Sequence, residues 1–404
     1  MSNVVLLGTL DTKSAELDFV RSRLLAQGLS VTLIDCGVFP AASSAADIGR
    51  EAVARAAGHD VERLAANNNR GAAVIAMAAG AEKIVAELYR DGKLDGALAL
   101  GGTGGTSIAA TAFRHLPFGV PKLIVSTAAS GDTSGYVGET DLMLAPSVVD
   151  IAGLNRISKR VLANAAGAMA GMVAAPNLQV EDDAELVAAS MFGVTTPCVT
   201  EGRRLLENHG YEVLTFHMTG AGGRTLEALV RNGMLAGVLD MTTTELADEL
   251  VGGVFSAGPG RLTQDGAARV VSVGALDMVN FGAMDTVPER FRDRNLFVHN
   301  SSVTLMRTKP DECAELGCRL ASRVATLSNP VTVMLPLAGI SAIAKPGGPF
   351  HDAVADDALF TAIRDGLKGS RVHLVEMDTD INDPAFAGRA VSELQALMRT
   401  GTTS

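Results

Sequence analysis

The sequence predicts an α/β protein of two Rossmann-like subdomains, each a mostly parallel sheet flanked by helices, with a cleft between them. Three observations carry this. Short apolar runs alternate with longer amphipathic stretches, the pattern of βαβ units. The 404 residues are too many for one ordinary core and suit two. Hydrophobic residues make up 47% and aromatics only 4%, with no tryptophan, so the core is built from small aliphatic side chains that pack parallel strands under helices.

Taken in order, residues 4–7 read as a strand by length and apolar continuity. Gly8-Thr-Leu-Asp-Thr-Lys13 follows, then an amphipathic helix over 14–27 with Leu17, Val20, Leu24 and Leu25 on one side, closed by Gly28 in a left-handed cap. Residues 29–34 form the second strand, ending in Asp35 and completing a right-handed βαβ unit. Residues 39–47 are a loop, 47–67 a helix broken near Gly58, 72–77 a strand or a helix start, and 81–90 a helix. A buried strand over 96–100 leads into Gly101-Gly-Thr-Gly-Gly-Thr106 and a helical run over 107–115. Residues 122–126 and 141–144 read as strands, and 146–173 as a helix with Pro146 in its first turn.

The joint falls over 174–183, which gives domains 1–180 and 181–404. The pattern then restarts: an apolar stretch over 190–194, a small-residue loop over 195–200, a helix over 201–209 stopped by Gly210, and a strand over 211–217. That order repeats the first half and reads as an internal duplication of fold. Thr219-Gly-Ala-Gly-Gly-Arg-Thr225 opens a helix over 226–232, and 237–241 is a strand. Thr242 and Glu245 have capping-box spacing before 246–251. Strands are expected at 269–273, 296–299, 331–335 and 372–375, and helices at 309–328 and 384–398. A long irregular loop over 338–350 contains Lys345-Pro-Gly-Gly-Pro349.

The net charge of −11 lacks the basic footprint of a nucleic-acid or acidic-membrane binder. The four cysteines show no zinc spacing, so reduced thiols are expected. No apolar run reaches the ~18 residues of a membrane span, and residues 1–7 lack the basic segment of a signal peptide. The expectation is a cytoplasmic protein.

Ligands of open α/β sheets sit beyond the C-terminal ends of the strands. There the sequence places Gly8, Thr9, Asp11, Thr12 and Lys13; Asp35; Gly101, Gly102, Thr103, Gly104, Gly105 and Thr106; and Thr127 and Ser130. Successive glycine amides opening a helix make an anion cradle, because only glycine lets the backbone come so close. No Gly-Lys-Ser/Thr ends the loop, so it is not a Walker A motif. Lys13 falls in a first helical turn, where the macrodipole disfavours a cation; it is either solvated or offset by a bound anion. Asp11 reads as an N-cap or a ligand, Asp35 as a ribose acceptor or a turn former. A second anion site is expected at Gly222, Gly223 and Arg224, with Lys345 in a loop able to fold over it. His217 and His351 lack metal spacing, and Asp378, Asp380 and Asp383 lack the glycine and distal glutamate of a calcium loop.

Four motifs, Gly8-Thr-Leu-Asp-Thr-Lys13, Gly101-Gly-Thr-Gly-Gly-Thr106, Thr219-Gly-Ala-Gly-Gly-Arg224 and Pro346-Gly-Gly-Pro-Phe-His-Asp352, together resemble one family. It is that of the plant tobamovirus-resistance proteins, in their ATP-binding N-terminal region, and their uncharacterised bacterial relatives. The resemblance implies two Rossmann-like subdomains, a homodimer, and ATP held by the glycine-rich elements. A magnesium ion bridging the phosphates and Asp11 would accompany it. In the plant protein a barrel-like domain follows; here it is expected as a separate partner protein. The alternative is an enzyme or enzyme subunit acting on a small carboxylate or phosphorylated acid in the interdomain cleft, with Arg224 and Lys345 as clamps. No general base is readable. The nucleotide reading requires Gly102 to Thr106 to face open space.

Overall fold

The computed structural model describes residues 1–41, 46–67, 69–175 and 184–401. The chain divides into two compact units, Met1–Gln179 and Val180–Ser404.

In the first unit the order is β1 (Asn3–Gly8), α1 (Leu10–Leu25), β2 (Ser30–Asp35), α2 (Arg50–Ala56), α3 (Val61–Ala66), α4 (Arg70–Arg90), β3 (Gly96–Gly101) and α5 (Thr103–Phe113). Then come β4 (Lys122–Ser126), a 3₁₀ turn (Thr127–Ser130), α6 (Ser134–Val137), β5 (Met143–Pro146) and α7 (Arg156–Ala174). The sheet is parallel throughout, in the order β2-β1-β3-β4-β5. Alternation along β1 sends Val4 and Leu6 to one face, against Leu17, Val20 and Leu24 of α1 and Leu162 and Met169 of α7. Val5 and Leu7 go to the other, against Met77 of α4 and Ile108 of α5. Both faces are covered, which is why the strands read as unbroken apolar runs. Helix α4 lies on α2 with Gly80 against the Val53 carbonyl, where a Cβ would overlap that oxygen.

The second unit runs β6 (Leu186–Met191), α8 (Thr196–Asn208), β7 (Glu212–His217), α9 (Ala221–Arg231), β8 (Gly237–Thr242), α10 (Glu245–Val251), β9 (Ala268–Gly274) and β10 (Met278–Phe281). It continues with β11 (Leu296–Asn300), β12 (Val303–Arg307), α11 (Pro310–Thr326), β13 (Val331–Pro336), α12 (Ala353–Leu367), β14 (His373–Met377) and α13 (Pro384–Gly401). Its main sheet is parallel, in the order β14-β13-β9-β8-β6-β7. A small antiparallel sheet, β10-β12-β11, is added after β9. In each unit the second strand pairs with the first on one side while the third and fourth continue on the other, so the duplication read from the sequence holds at the level of topology.

Several local expectations are corrected. Of the two readings left open for 72–77, the helical one holds: the run lies in the first turns of α4, as the alanine-rich composition favours. Helix α1 begins at Leu10 and is interrupted at Lys13 (φ −136°, ψ 25°), so Lys13 sits at a kink rather than in a regular first turn. Pro146 ends β5, held by its pairing with Ser126; α7 starts only at Arg156, with Asn155 and Ser158 as its capping box. Residues 196–200 are already helical. No capping box joins Thr242 and Glu245: Thr242 closes β8, with its hydroxyl 2.7 Å from that of Thr195. Strands β10 and β12 and helix α12 were not foreseen. The joint over 174–183 lies mostly outside the described residues. No described helix is long and apolar enough to cross a membrane.

Candidate functional site

In the first sheet the winding direction reverses between β1 and β3, and in open α/β sheets the crevice at such a point, beyond the strand C-termini, is the usual ligand site. A cavity of about 570 Å³ lies there. Thr9, Asp11, Thr12 and Lys13 reach it from the end of β1, and Gly102, Gly104 and Gly105 from the end of β3. Helices α3 and α4 supply Leu64, Val74 and Met77 as an apolar wall, with Asn69 and Arg70 at the start of α4.

Three helices begin at this cavity, and they differ in how their first amides are used. In α1 the Leu10 N–H donates to Asp35 Oδ1 (3.0 Å). In α4 the Ala72 N–H donates to Asn69 Oδ1 (3.0 Å). Helix α5 has Gly102 as N-cap, with no side-chain cap, and its first intrahelical bond runs from Thr106 N to Gly102 O (2.8 Å). The amides of Thr103, Gly104 and Gly105 have no partner among the described residues. They are the orphan donors of a helix N-terminus, with the positive end of its dipole behind them.

The glycines here serve different ends. A Cβ on Gly101 would lie 2.7 Å from Gly105 C and Thr106 N, so that glycine lets β3 turn directly into α5. Gly8 is set by packing, since a Cβ would lie 2.6 Å from Leu17 Cδ1. At Gly104 a Cβ would meet only Val74 Cγ2 at 3.5 Å and Arg70 Nη2 at 3.8 Å, ordinary contacts. Packing does not require glycine there; access to the amide would.

The charged groups sort as follows. Lys13 lines the cavity, but its ammonium is anchored on Ile151 O at 2.6 Å. Arg70 falls between the runs 47–67 and 72–77 of the sequence reading, where no motif marks it. It is exposed, lines the cavity beside Gly104, and has no hydrogen-bond or ion-pair partner among the described residues. Asp11 is not an N-cap: that position is Thr9, and Asp11 Oδ2 accepts from Val38 N and Phe39 N, both at 3.2 Å. Asp35 is corrected from ribose acceptor to scaffold. It is 4% exposed, and its Oδ1 accepts from Leu10 N and Gly37 N (2.8 Å). Burial raises its carboxyl pKa and those amides pull it partly back. Thr106 is also corrected: fully buried, its hydroxyl is 2.6 Å from Ser126 Oγ, tying α5 to β4. Thr127 and Ser130 form the 3₁₀ turn after β4 and are not in the cavity lining, whereas Asp150 is. No group of three or more His, Cys, Asp or Glu suited to a metal occurs among the described residues.

The second glycine loop has the anticipated chemistry, but the expected open anion site is filled from within the chain. Gly220 N and Gly223 N donate to Glu245 Oε1 at 2.7 and 3.1 Å. Arg261 Nε donates to Glu245 Oε2 at 2.9 Å. A Cβ on Gly223 would overlap that carboxylate, and one on Gly222 the His217 carbonyl. Arg224 reaches Ser256 O at 3.4 Å, and Lys345 lies 3.5 Å from Asp380, so neither points to a ligand here. Arg261 also binds Glu227 and Asp240, and Arg269 chelates Glu227 through both carboxylate oxygens. Burial alone would raise the carboxyls of Glu227 and Asp240, but the arginines outweigh it and hold both below the usual range. The counterpart switch point is sealed, with Thr195, Thr242, Thr243 and Thr244 all at 0% exposure.

Fold and site thus define a two-unit, doubly wound α/β protein with a roomy crevice in its first unit and a closed one in its second. Residues 2–178 match the N-terminal domain, and 184–398 the C-terminal domain, of the Uncharacterised protein family (UPF0261), and the chain belongs to that family. It is 45% identical over 398 residues to a UPF0261 protein of Clostridium tetani (strain Massachusetts / E88), covering 98% of each chain. It is 40% identical over 331 residues to the ToMV resistance protein Tm-1(GCR237) of Solanum lycopersicum, a match that takes in 80% of this chain and 44% of the tomato protein. A solved UDP-GlcNAc 2-epimerase of Methanocaldococcus jannaschii aligns over 98% of this chain and 92% of its own, at 11% identity and a TM-score of 0.24.

Proposed function

We propose that the first unit binds ATP, with its phosphates at the N-terminus of α5 and its base along the wall of Leu64, Val74 and Met77. The single observation that carries this is the uncapped start of α5, whose first three amides have no partner among the described residues and of which Gly104 and Gly105 line a cavity of about 570 Å³, while Thr103 is outside the lining. A polyphosphate satisfies these donors at once and is favoured by the helix dipole. Arg70 supplies the counter-charge beside Gly104, and Lys13, held on Ile151 O, adds positive potential at the rim. Asp11, Thr12 and Asp150 are the polar lining groups suited to sugar hydroxyls. Were magnesium to accompany the nucleotide, Asp11 and Asp150 are the carboxylates of the cavity lining that would hold it and neutralise phosphate charge through it. The resemblance to the ATP-binding region of the plant proteins supports the same ligand.

The test is a thermal-shift titration with ATP, with and without magnesium, beside AMP and inorganic phosphate. Saturation at a hundred times Kd stabilises by about 2.7 kcal/mol, a rise of roughly 5–10 °C for a unit of this size. ATP is expected to act well above AMP. No shift at millimolar ATP, or an equal response to AMP, refutes the placement of phosphates on α5.

A further inference from the structure

We infer that Glu245 is the resident anion of the second unit, filling by covalent attachment the glycine-amide site at the start of α9. The carboxylate meets three donors, the amides of Gly220 and Gly223 and the Nε–H of Arg261, shared between its two oxygens. This is the set a diffusible carboxylate or phosphate would find: glycine amides at a helix start and a guanidinium clamp. Glu245 is 1% exposed and Arg261 1% exposed, so no external anion competes. Gly223 has no room for a side chain because the carboxylate lies where its Cβ would be.

The comparison with the first unit sharpens the assignment. Helix α5 follows the third strand of its sheet and opens Gly102-Thr103-Gly104-Gly105; α10 follows the third strand of the other and opens Thr244-Glu245. At the first helical position one unit carries a short hydroxyl and the other a side chain long enough to reach the neighbouring helix terminus. The second unit is therefore locked in its liganded form, whatever the solution contains.

The experiment is anion rescue in the full chain. Glu245→Ala removes the anion and leaves its donors facing the vacated space. It is expected to melt below the parent protein, and 100 mM sodium formate is expected to raise its melting temperature by roughly 3–5 °C over equal sodium chloride, with no such rise in the parent. If Glu245→Ala folds only when refolded in formate, that dependence is the supporting result. Equal responses of variant and parent to the two salts overturn the inference. Glu245→Gln keeps the volume but not the charge, leaves no space for formate, and is expected to be destabilised and unrescued; a melting temperature equal to the parent's overturns the inference as well. ATP binding by the first unit is not used in this comparison, so failure of that reading would show separately.

Discussion

Gly104 is the glycine at which a role in ligand access and a role in packing lead to opposite outcomes. In Gly104→Ala the new methyl would meet Val74 Cγ2 at 3.5 Å and Arg70 Nη2 at 3.8 Å, so nothing has to move. Alanine in place of glycine inside a helix stabilises by up to about 1 kcal/mol, and less in a first turn. The expected change in melting temperature is therefore a rise of about 1–3 °C. Binding should go the other way. The methyl stands in the cavity beside the amide, and loss of one charge-assisted hydrogen bond to phosphate costs about 1.5–3 kcal/mol, or roughly 10- to 150-fold in Kd. Calorimetric titration with ATP, paired with thermal melts, reads both. Gly101→Ala is the control, because its Cβ would sit 2.7 Å from backbone atoms of Gly105 and Thr106 and must destabilise. A Gly104→Ala protein that binds ATP as tightly as its parent would refute the reasoning.

Two further outcomes are expected. Arg70→Ala should weaken ATP binding by about 5- to 30-fold at low salt, the effect of an exposed cation on a phosphate, and the deficit should shrink in 0.5 M salt. Its melting temperature should not change, since the side chain has no partner among the described residues; unchanged affinity would exclude Arg70 from the site. Burial raises the Asp248 carboxyl from 3.8 to about 7, against hydrogen bonds from the Asn280 and Phe255 amides. Between those values the folded chain keeps a proton that the unfolded chain has lost, so this group's contribution to stability falls as pH rises from about 4 to about 7, by at most about 1.4 kcal/mol per pH unit. Asp277, raised to about 6, acts in the same sense, whereas Glu227 and Asp240, held low, add stability that is lost only in acid. Calorimetry from pH 5 to 8 should show the second unit losing stability as pH rises from 5 to about 7, and Asp248→Asn flattening that loss; an unaltered profile in the variant would count against a protonated Asp248.

The fold was legible wherever the chain alternates short apolar runs with amphipathic stretches. Residues 4–35 give strand, helix, a Gly28 stop at φ +78° and a second strand in the order seen. Helix α12, absent from the sequence reading, does carry a helical pattern, since Ala355, Leu359, Phe360 and Ile363 repeat at helical spacing. Strands β10 and β12 are short and lie in an added sheet with no counterpart among the described residues of the first unit. The glycine loop after β3 borders the cavity that the structure shows, while the cation beside it has no signal in the sequence. Arg70 reaches Gly104 only because α4 packs across α5, a tertiary fact. Conversely, Asp35 and Thr106 have the residue types of ligand contacts, yet burial turns both into braces for the loops they flank. The second loop shows the limit of motif reading: glycine amides at a helix start declare a need for negative charge, not its source.

The close approach of Gly80 to the Val53 carbonyl makes α4 a lever with a fixed fulcrum. Arg70 stands ten residues away, about 15 Å along the axis, at the end that borders the cavity. Any side chain at position 80 would tilt the shaft away from α2 and swing the arginine and Met77 off their stations. Substitutions well outside the crevice can thus disable it by changing its aperture, leaving every residue that faces the ligand intact.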